Sequence, residues 1–246
     1  DGMEIYFLTN QSGKDIEVNP SFRVKGLKPK LWDAVTGEIK ELSDYSVADG
    51  RTSIPLKMEV DRSWFVVFSN ASNNFVEKAT IENTPEYQVT QTINTPWNID
   101  FESKNIAPET IMTSELMDWS KSENDLLKYY SGKANYTTTF TYQKSDAKAA
   151  VIDLGEVGVM ATVTLNGKDV GTSWMAPYRL NITDVVQEGE NKLEIKVVNV
   201  WRNRLTGDKT LPVEQRTTSV LVDNVKPEEE MSSSGLLGPV TIQTVN

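Results

Sequence analysis

The chain of 246 residues contains no cysteine and no histidine. Without cysteine it can form no disulfide, no thiol nucleophile and no cysteine-bound zinc site. Without histidine it can hold neither a Ser-His-Asp triad nor a histidine-bound catalytic metal, and histidine is the commonest general acid and base. Catalysis by this chain would therefore have to rest on Asp, Glu, Lys, Tyr or Ser.

Long hydrophobic runs and an excess of positive charge are also missing. No run approaches the roughly 18 consecutive apolar residues of a membrane-spanning helix, so we expect no membrane span. The 25 basic and 35 acidic residues give a net charge of −10. An acidic surface repels phosphate backbones, and nucleic acid is therefore not an expected partner. The abrupt start in a strand-like run, with no visible signal peptide, is typical of a processed chain or of a piece of a longer one.

The first part of the chain carries short apolar runs separated by turn residues. Met3–Leu8 and Thr52–Leu56 are typical of strands. Ser63–Phe68 is apolar at nearly every position, which indicates a strand buried on both faces. The spacing of the turn signals predicts a small all-β sandwich over residues 1–80, closing near Ser69–Asn74.

The second part, residues 81–246, is also dominated by strand patterns. Along Ala134–Tyr142, mostly apolar and aromatic side chains alternate with Asn and Thr side chains, which predicts a strand with one buried face. Asn166-Gly167 joins two strand-like runs, and this pair is a strong hairpin signal because both turn positions need positive φ. Thr217–Val222 and Val240–Val245 supply two more predicted strands. The pattern predicts a jelly-roll β-sandwich with long loops.

Helical spacing is found in one region of the chain. Leu116–Tyr130 has apolar residues at helical intervals, and Asp118 or Ser120 could cap its start. The stretch Asn199–Asp208 is interpreted instead as a loop that follows a strand. We therefore expect an all-β protein with one helical segment.

The densest cluster of polar and aromatic residues is Asn199-Val-Trp-Arg-Asn-Arg204, followed by Leu205-Thr-Gly-Asp208. An exposed indole ring can stack on the apolar face of a pyranose, while amide and guanidinium groups hydrogen-bond its hydroxyls in pairs. The alternative is a structural loop in which Arg204 and Asp208 form an ion pair and Trp201 fills the end of the sandwich. The residues alone leave both interpretations open.

A second aromatic passage, Trp174-Met-Ala-Pro-Tyr-Arg179, follows the hairpin. Its rings could form a second aromatic wall beside Trp201 at one rim of the sheet. The alternative is that Trp174 and Tyr178 pack into the core. By contrast, Asn166-Gly167 and Gly189-Glu-Asn191 are interpreted as turns without a chemical role.

Carboxylates are plentiful, but no pair stands out as catalytic. Glycoside hydrolysis needs two carboxyl groups about 5–10 Å apart across the scissile bond. The candidates are Asp100, Glu102, Asp118, Asp153, Glu156, Asp184 and Glu194. No calcium-loop spacing is present, and no cofactor is expected; a structural calcium held by scattered loop carbonyls stays open, because sequence does not show such ligands.

Several passages, taken in order, resemble the C-terminal portion of glycoside hydrolases of family 106, the α-L-rhamnosidase type. In the second part these are Tyr130-Ser-Gly-Lys-Ala-Asn-Tyr136, Leu165-Asn-Gly-Lys-Asp-Val-Gly171, Val200-Trp-Arg-Asn-Arg-Leu-Thr-Gly-Asp208 and Ser234-Gly-Leu-Leu-Gly-Pro-Val240. In the first part they are Tyr6-Phe-Leu-Thr-Asn10, Leu31-Trp-Asp-Ala-Val-Thr-Gly37 and Phe65-Val-Val-Phe68. The second part is similar to the galactose-binding-like jelly roll that also serves family 2 glycosidases.

The resemblance implies a catalytic domain upstream in the same polypeptide and a periplasmic or extracellular location. This chain would be a non-catalytic accessory region that contacts carbohydrate of a plant-type or rhamnose-containing glycan. The expected sugar-contacting residues are Trp174, Tyr178, Trp201, Arg202, Asn203, Arg204 and Asp208. Two other hypotheses remain: a complete glycosidase that uses an Asp/Glu pair, and a purely structural spacer.

Overall fold

The computed structural model describes residues 2–69, 83–84, 86–102, 107–221, 224–226 and 228–245. The chain divides into two compact units, Asp1–Glu86 and Tyr87–Asn246. The domain boundary predicted at residue 80 lies outside the described residues. None of the helices in the described ranges is long and apolar enough to cross a membrane.

The first unit is built entirely of strands and turns in its described residues. Its nine strands are β1 Met3–Thr9, β2 Ile16–Val18, β3 Ser21–Phe22, β4 Lys28–Trp32, β5 Ile39–Glu41, β6 Ser46–Ala48, β7 Arg51–Ser53, β8 Leu56–Met58 and β9 Ser63–Ser69. They form one sheet with the order β1-β9-β4-β5, a three-stranded sheet β3-β7-β6 and the pair β2-β8.

One apolar core holds the first unit together. Alternate residues of β9 point inward, where Trp64, Val66 and Phe68 are buried. They pack with side chains from the other sheets, and the buried cluster comprises Phe22, Val24, Leu31, Leu42, Ile54, Leu56, Met58, Trp64, Val66 and Phe68. The small all-β sandwich predicted for this part therefore has the expected strand content.

The second unit contains twelve strands among its described residues. They are β10 Gln88–Thr92, β11 Trp97–Phe101, β12 Ile111–Thr113, β13 Lys133–Tyr142, β14 Ala149–Asp153, β15 Glu156–Val157, β16 Met160–Leu165, β17 Lys168–Ser173, β18 Arg179–Asn181, β19 Gly189–Val198, β20 Leu236–Gly238 and β21 Thr241–Val245. Two helices, α1 Asp125–Lys128 and α2 Arg202–Lys209, and two 3-10 helices, Trp119–Lys121 and Val213–Gln215, complete the unit.

Two main sheets of the second unit enclose a single core. The larger has the order β12-β11-β13-β19-β16-β17 and the smaller has the order β10-β21-β14-β18. Ile195 of β19 and Ile152 of β14 belong to the same buried cluster, so side chains of both sheets meet between them. The all-β fold class is confirmed.

The predicted hairpin at Asn166-Gly167 is confirmed in detail. Both residues have positive φ, 54° and 76°, and they connect β16 to β17. The prediction missed a second role of this turn. The Asn166 side chain donates to Asn191 Oδ1 at 2.8 Å and accepts from the Lys192 amide at 2.9 Å. The turn is therefore fastened to the start of β19.

The predicted helix over Leu116–Tyr130 is wrong in extent. The region contains the 3-10 helix Trp119–Lys121 and the single turn of α1. Asp118 caps the first by accepting from the Ser120 amide, and Asn124 caps the second by accepting from the Leu126 amide. Two N-caps six residues apart in sequence start two short helices instead of one long helix.

The stretch from Asn199 to Asp208, predicted as a loop, is largely the helix α2. Its buried side chains are polar, so the apolar periodicity that identifies a helix is absent. The strand predicted at Thr217–Val222 is also wrong for its described part, since residues 217–221 are not in a strand. Thr217 and Thr218 instead donate hydrogen bonds to Asp208.

Candidate functional site

Strand register brings the two aromatic passages to one edge of the larger sheet. Ser173 at the end of β17 lies opposite Ala161, and Ala161 lies opposite Val197 near the end of β19. Strands β17 and β19 are both antiparallel to β16, so they run in the same direction and end at the same edge. Because neighbouring strands are about 4.8 Å apart, these two ends are separated by about 10 Å. We name this edge, where β17 and β19 end, the tryptophan edge.

Trp174 directly follows β17, and Trp201 lies three residues after the end of β19. Their side chains are 56% and 64% exposed, respectively. Trp201 therefore does not fill the end of the sandwich, and Trp174 does not pack into the core. Two exposed indole rings at one edge provide the apolar stacking surface that a sugar ring needs.

Tyr178 belongs to the same edge but is partly buried. Its ring packs against the core, and its hydroxyl donates to the carbonyl of Val159 at 3.1 Å. Val159 directly precedes β16 at the tryptophan edge. Burial raises the pKa of the Tyr178 hydroxyl above its ordinary value. The side chain thus supports the edge, with its hydroxyl already bonded.

Three of the four polar residues predicted to contact sugar lie on the inner side of α2. Asn203, Arg204 and Asp208 are all buried. The Arg204 guanidinium donates to Asp208 Oδ1 from Nε at 3.0 Å and from Nη2 at 2.5 Å. Arg204 and Asp208 therefore form the structural ion pair that was the alternative to sugar binding, between residues one helical turn apart.

The second oxygen of Asp208 is also occupied. Oδ2 accepts from the Thr217 amide at 2.9 Å, from the Thr218 amide at 2.7 Å and from the Thr218 hydroxyl at 2.6 Å. Burial alone would raise the pKa of Asp208, but the hydrogen bonds from Thr218 and Arg204 outweigh it and hold this pKa below the usual carboxyl value. Asp208 therefore fastens the segment after α2 to the helix.

Asn203 binds a different segment of the chain, at Ser232. Its side-chain amide donates to the Ser232 carbonyl at 2.6 Å and accepts from the Ser232 amide at 2.9 Å. This two-way contact resembles a pair in a β-ladder, made by a side chain. Arg202, at the first position of α2, is exposed and forms an ion pair with Glu229.

Sequence reasoning missed the full set of contacts around the segment Ser232–Leu236. Asn199 Oδ1 accepts from the Gly235 amide at 2.8 Å, and Asp118 Oδ1 accepts from the Ser234 amide at 3.0 Å. The Tyr136 hydroxyl accepts from the Leu236 amide at 2.9 Å. The Ser-Gly-Leu-Leu-Gly motif that carried the family resemblance is thus held by side chains from distant parts of the chain.

The fit at Gly235 is close. A Cβ atom there would lie 2.8 Å from the Trp119 ring and 2.9 Å from the Tyr136 hydroxyl, and Gly235 has φ +90°. The Trp119 and Tyr136 rings stack at 5.7 Å with an interplanar angle of 10°. Glycine is required at this position both by its backbone conformation and by the aromatic ring beside it.

A cleft of about 370 Å³ lies beside α2. Its lining residues are Leu205, Asp208, Lys209, Val213, Arg216, Thr218, Ser219 and Val220. The Asp208 carboxylate in its wall is already bonded to Arg204, Thr217 and Thr218.

Two of the candidate carboxylates, Asp153 and Glu102, have basic partners in the protein. Asp153 accepts from Arg179 Nε at 2.8 Å, and Glu102 lies 3.6 Å from the ammonium groups of both Lys133 and Lys196. In the described ranges, no group of three or more acidic side chains is placed to hold a metal ion.

The comparisons with known proteins agree with the fold of each unit. Residues 87–231 match the family model described as glycosyl hydrolase 2 galactose-binding domain-like, and residues 1–47 match the family model of alpha-L-rhamnosidase. The first match covers more than half of the chain, so the chain belongs to the glycosyl hydrolase 2 galactose-binding domain-like family. The resemblance found in the sequence motifs is confirmed.

Two similar proteins make the relationship more specific. The structure of the rhamnosidase from Novosphingobium sp. PP1Y has a TM-score of 0.84 and 34% sequence identity, and the match covers 97% of this chain and 22% of that one. A protein of Formosa agariphila named "Putative beta-glucuronidase" is 41% identical over 175 residues, which is 61% of this chain and 15% of the relative. The chain therefore spans less than a quarter of the length of either protein.

Proposed function

We propose that residues 1–246 form a non-catalytic accessory region of a larger glycoside hydrolase, and that the tryptophan edge binds carbohydrate. The parent enzyme would act on plant-type or rhamnose-containing glycans. The observation that carries the proposal is the exposure of Trp174 and Trp201 after two strands, β17 and β19, that end at the same edge of one sheet. The match to a rhamnosidase over nearly the whole chain supports the glycan class.

The proposed contact surface is smaller than the set of seven residues in the sequence prediction. Asn203, Arg204 and Asp208 are buried and bonded to the protein, so they cannot reach a ligand without breaking those bonds. Trp174 and Trp201 remain as exposed stacking platforms, and the strand ends that precede them are about 10 Å apart by strand spacing. Arg202 is the exposed guanidinium beside them, with Glu229 as its present partner.

Calorimetric titration of the chain with rhamnose-containing oligosaccharides tests the proposal. We expect weak binding that falls by about five- to twelvefold in Trp174→Ala and Trp201→Ala, because each substitution removes a stacking contact worth about 1–1.5 kcal/mol. Met112→Ala is the matched control, since Met112 is an exposed apolar side chain in β12, away from this edge. Unchanged affinity in both tryptophan variants would show that the tryptophan edge does not bind these oligosaccharides.

Two competing functions have distinct outcomes in the same assays. A complete glycosidase would turn over an aryl rhamnoside or aryl glucuronide without any further domain, and we expect no turnover above background. A spacer would give no heat with any glycan offered, and Trp201→Ala would then lower the stability of the chain without changing any binding.

We also propose a periplasmic or extracellular location, because polymeric plant-type glycans are met outside the cytoplasm. Fractionation of the source cells followed by immunodetection tests this location. We expect the protein in the periplasmic fraction or the medium, and detection in the cytoplasm alone would contradict it.

A further inference from the structure

One sheet of the first unit has an apolar outer face. In the sheet with the order β1-β9-β4-β5, Phe7 lies opposite Phe65, Phe65 lies opposite Trp32, and Trp32 lies opposite Ile39. Residues directly opposite each other in antiparallel strands point to the same face of a sheet. The other face of β9 carries the core residue Val66, so this row of four apolar side chains lies on the outside.

The exposed apolar side chains of the first unit are concentrated on this face. Met3, Ile5 and Phe7 alternate along β1 and are exposed, and Ile39 in β5 is exposed as well. They are four of the five large apolar side chains that are exposed among residues 2–69, and the fifth is Val47. Single exposed apolar residues are ordinary, but a contiguous group marks an interaction surface. We name Met3, Ile5, Phe7, Phe65, Trp32 and Ile39 the β1 face.

The strand that carries most of this face is also an edge strand. Strand β1 is seven residues long and stands at the end of its sheet, so one side of its backbone has no strand partner among the described residues. Proteins usually shorten, charge or cover such edges, because an exposed apolar edge strand invites pairing with another chain. Here the edge is long and apolar, which indicates that something covers it.

We propose that the β1 face docks against another domain of the same polypeptide, outside residues 1–246. The two similar proteins are much longer, since this chain spans only 22% and 15% of their lengths. A covalent link within one polypeptide gives millimolar effective concentration, which makes docking favourable even for a modest apolar patch.

The neighbouring row of the sheet indicates the chemistry of the partner surface. In that row Ile5 lies opposite Val67, Val67 opposite Lys30, and Lys30 opposite Glu41. Lys30 and Glu41 form an ion pair of 3.9 Å. The docked surface should therefore be apolar opposite β1 and polar opposite Lys30 and Glu41.

Thiol labelling tests the proposal, because the chain has no cysteine of its own. Ile5→Cys places one thiol on the β1 face, and Val47→Cys is the matched control, with exposures of 55% and 53% for the native side chains. Labelling is measured by mass spectrometry of the peptide that contains the new thiol, in residues 1–246 and in the full-length gene product. We expect similar rates for both thiols in the chain alone, and at least about tenfold slower labelling at position 5 only in the full-length product.

A second measurement needs no substitution. Backbone amides of β1 should exchange with deuterium more slowly in the full-length product than in residues 1–246. Equal labelling at position 5 in both proteins, together with equal exchange of β1, would overturn the proposal. So would a full-length product without any further domain, or protection in the isolated chain that grows with its concentration and indicates a second copy as the occupant.

The proposal rests on the proposed function only in placing this chain within a larger glycoside hydrolase. The two can fail separately. Loss of the β1 protection leaves glycan titrations untouched, and absence of glycan binding leaves the labelling contrast between positions 5 and 47 intact.

Discussion

The polar and the aromatic side chains at the tryptophan edge differ in what they contact. Asn203, Arg204 and Asp208 on the inner side of α2 form their hydrogen bonds with other groups of the protein. Trp174 and Trp201 a few residues away leave most of their surface in solvent. Both kinds lie in motifs that resemble one family, yet one holds the edge in shape and the other is available to a ligand.

This difference shows that the residue types of a binding site do not by themselves identify the ligand contacts. Arginine, asparagine and aspartate are the groups that bond sugar hydroxyls, and here they bond each other and the backbone. A buried polar group must find partners inside the protein, since leaving it unpaired costs about 1–3 kcal/mol. Burial, which the pattern of residues did not show, decides the role.

The largest expected effect comes from breaking the buried ion pair. Asp208→Ala leaves the Arg204 charge buried without its partner and removes the hydrogen bonds to Thr217 and Thr218. We expect a loss of about 3–5 kcal/mol in the free energy of unfolding, measured by urea titration. Asp184→Ala, at an exposed aspartate, is the control and should change stability by less than about 0.5 kcal/mol. Equal stability of the two variants would mean that the pair does not hold the edge.

The next largest effect is expected from the close packing of Gly235 against the Trp119 ring. Gly235→Ala forces a Cβ atom into the Trp119 ring in a backbone conformation with φ +90°. Gly13→Ala has a similar φ of +73° but meets nothing within 4 Å, so it measures the backbone cost alone. We expect thermal unfolding to show that the first variant loses about 1–3 kcal/mol more than the second. No difference between them would contradict the packing described here.

A smaller effect is expected from pH. The pKa of Asp208 lies below its value in the unfolded chain, since hydrogen bonds from Thr218 and Arg204 outweigh burial. The resulting stability is fully present above the unfolded carboxyl value of about 3.9 and is lost as pH falls through the lower folded value. The stability advantage of the wild type over Asp208→Asn should therefore shrink below about pH 4 in urea titrations. An advantage that grows on acidification would reverse the assigned direction of the pKa shift.

The smallest expected effect on stability is at the exposed rings. Trp201→Ala should change the free energy of unfolding by less than about 0.5 kcal/mol, because the side chain is 64% exposed. Differential scanning calorimetry measures this directly. A drop as large as that of Asp208→Ala would mean that Trp201 supports the fold, as the structural alternative held.

Much of the fold could be predicted because its signals are local. Alternation along Ala134–Tyr142 identified β13, and Asn166-Gly167 identified the turn from β16 to β17. Helix α2 could not be found in this way, because its buried side is polar and its sequence therefore lacks the apolar periodicity that identifies a helix. The strand predicted at Thr217 is absent for a related reason: the amides of Thr217 and Thr218 donate hydrogen bonds to Asp208 and not to a neighbouring strand.

The candidate site was predicted in location but not in its division of roles. Strand register brings the ends of β17 and β19, which precede Trp174 and Trp201, to one edge of the sheet. The burial of Asn203 depends on Ser232, which is 29 residues away in sequence. Such long-range pairing leaves no mark in the local sequence pattern, so buried and exposed residues of the cluster could not be told apart.

The most direct test measures affinity and stability on the same two variants, Trp201→Ala and Asn203→Ala. Trp201→Ala should weaken binding of a rhamnose-containing oligosaccharide by about tenfold while the melting temperature stays within about 2 °C of the wild type. Asn203→Ala should lose about 1–3 kcal/mol of stability while the folded protein binds with unchanged affinity. The opposite pattern, with binding lost in Asn203→Ala and kept in Trp201→Ala, would contradict the division of roles at the tryptophan edge.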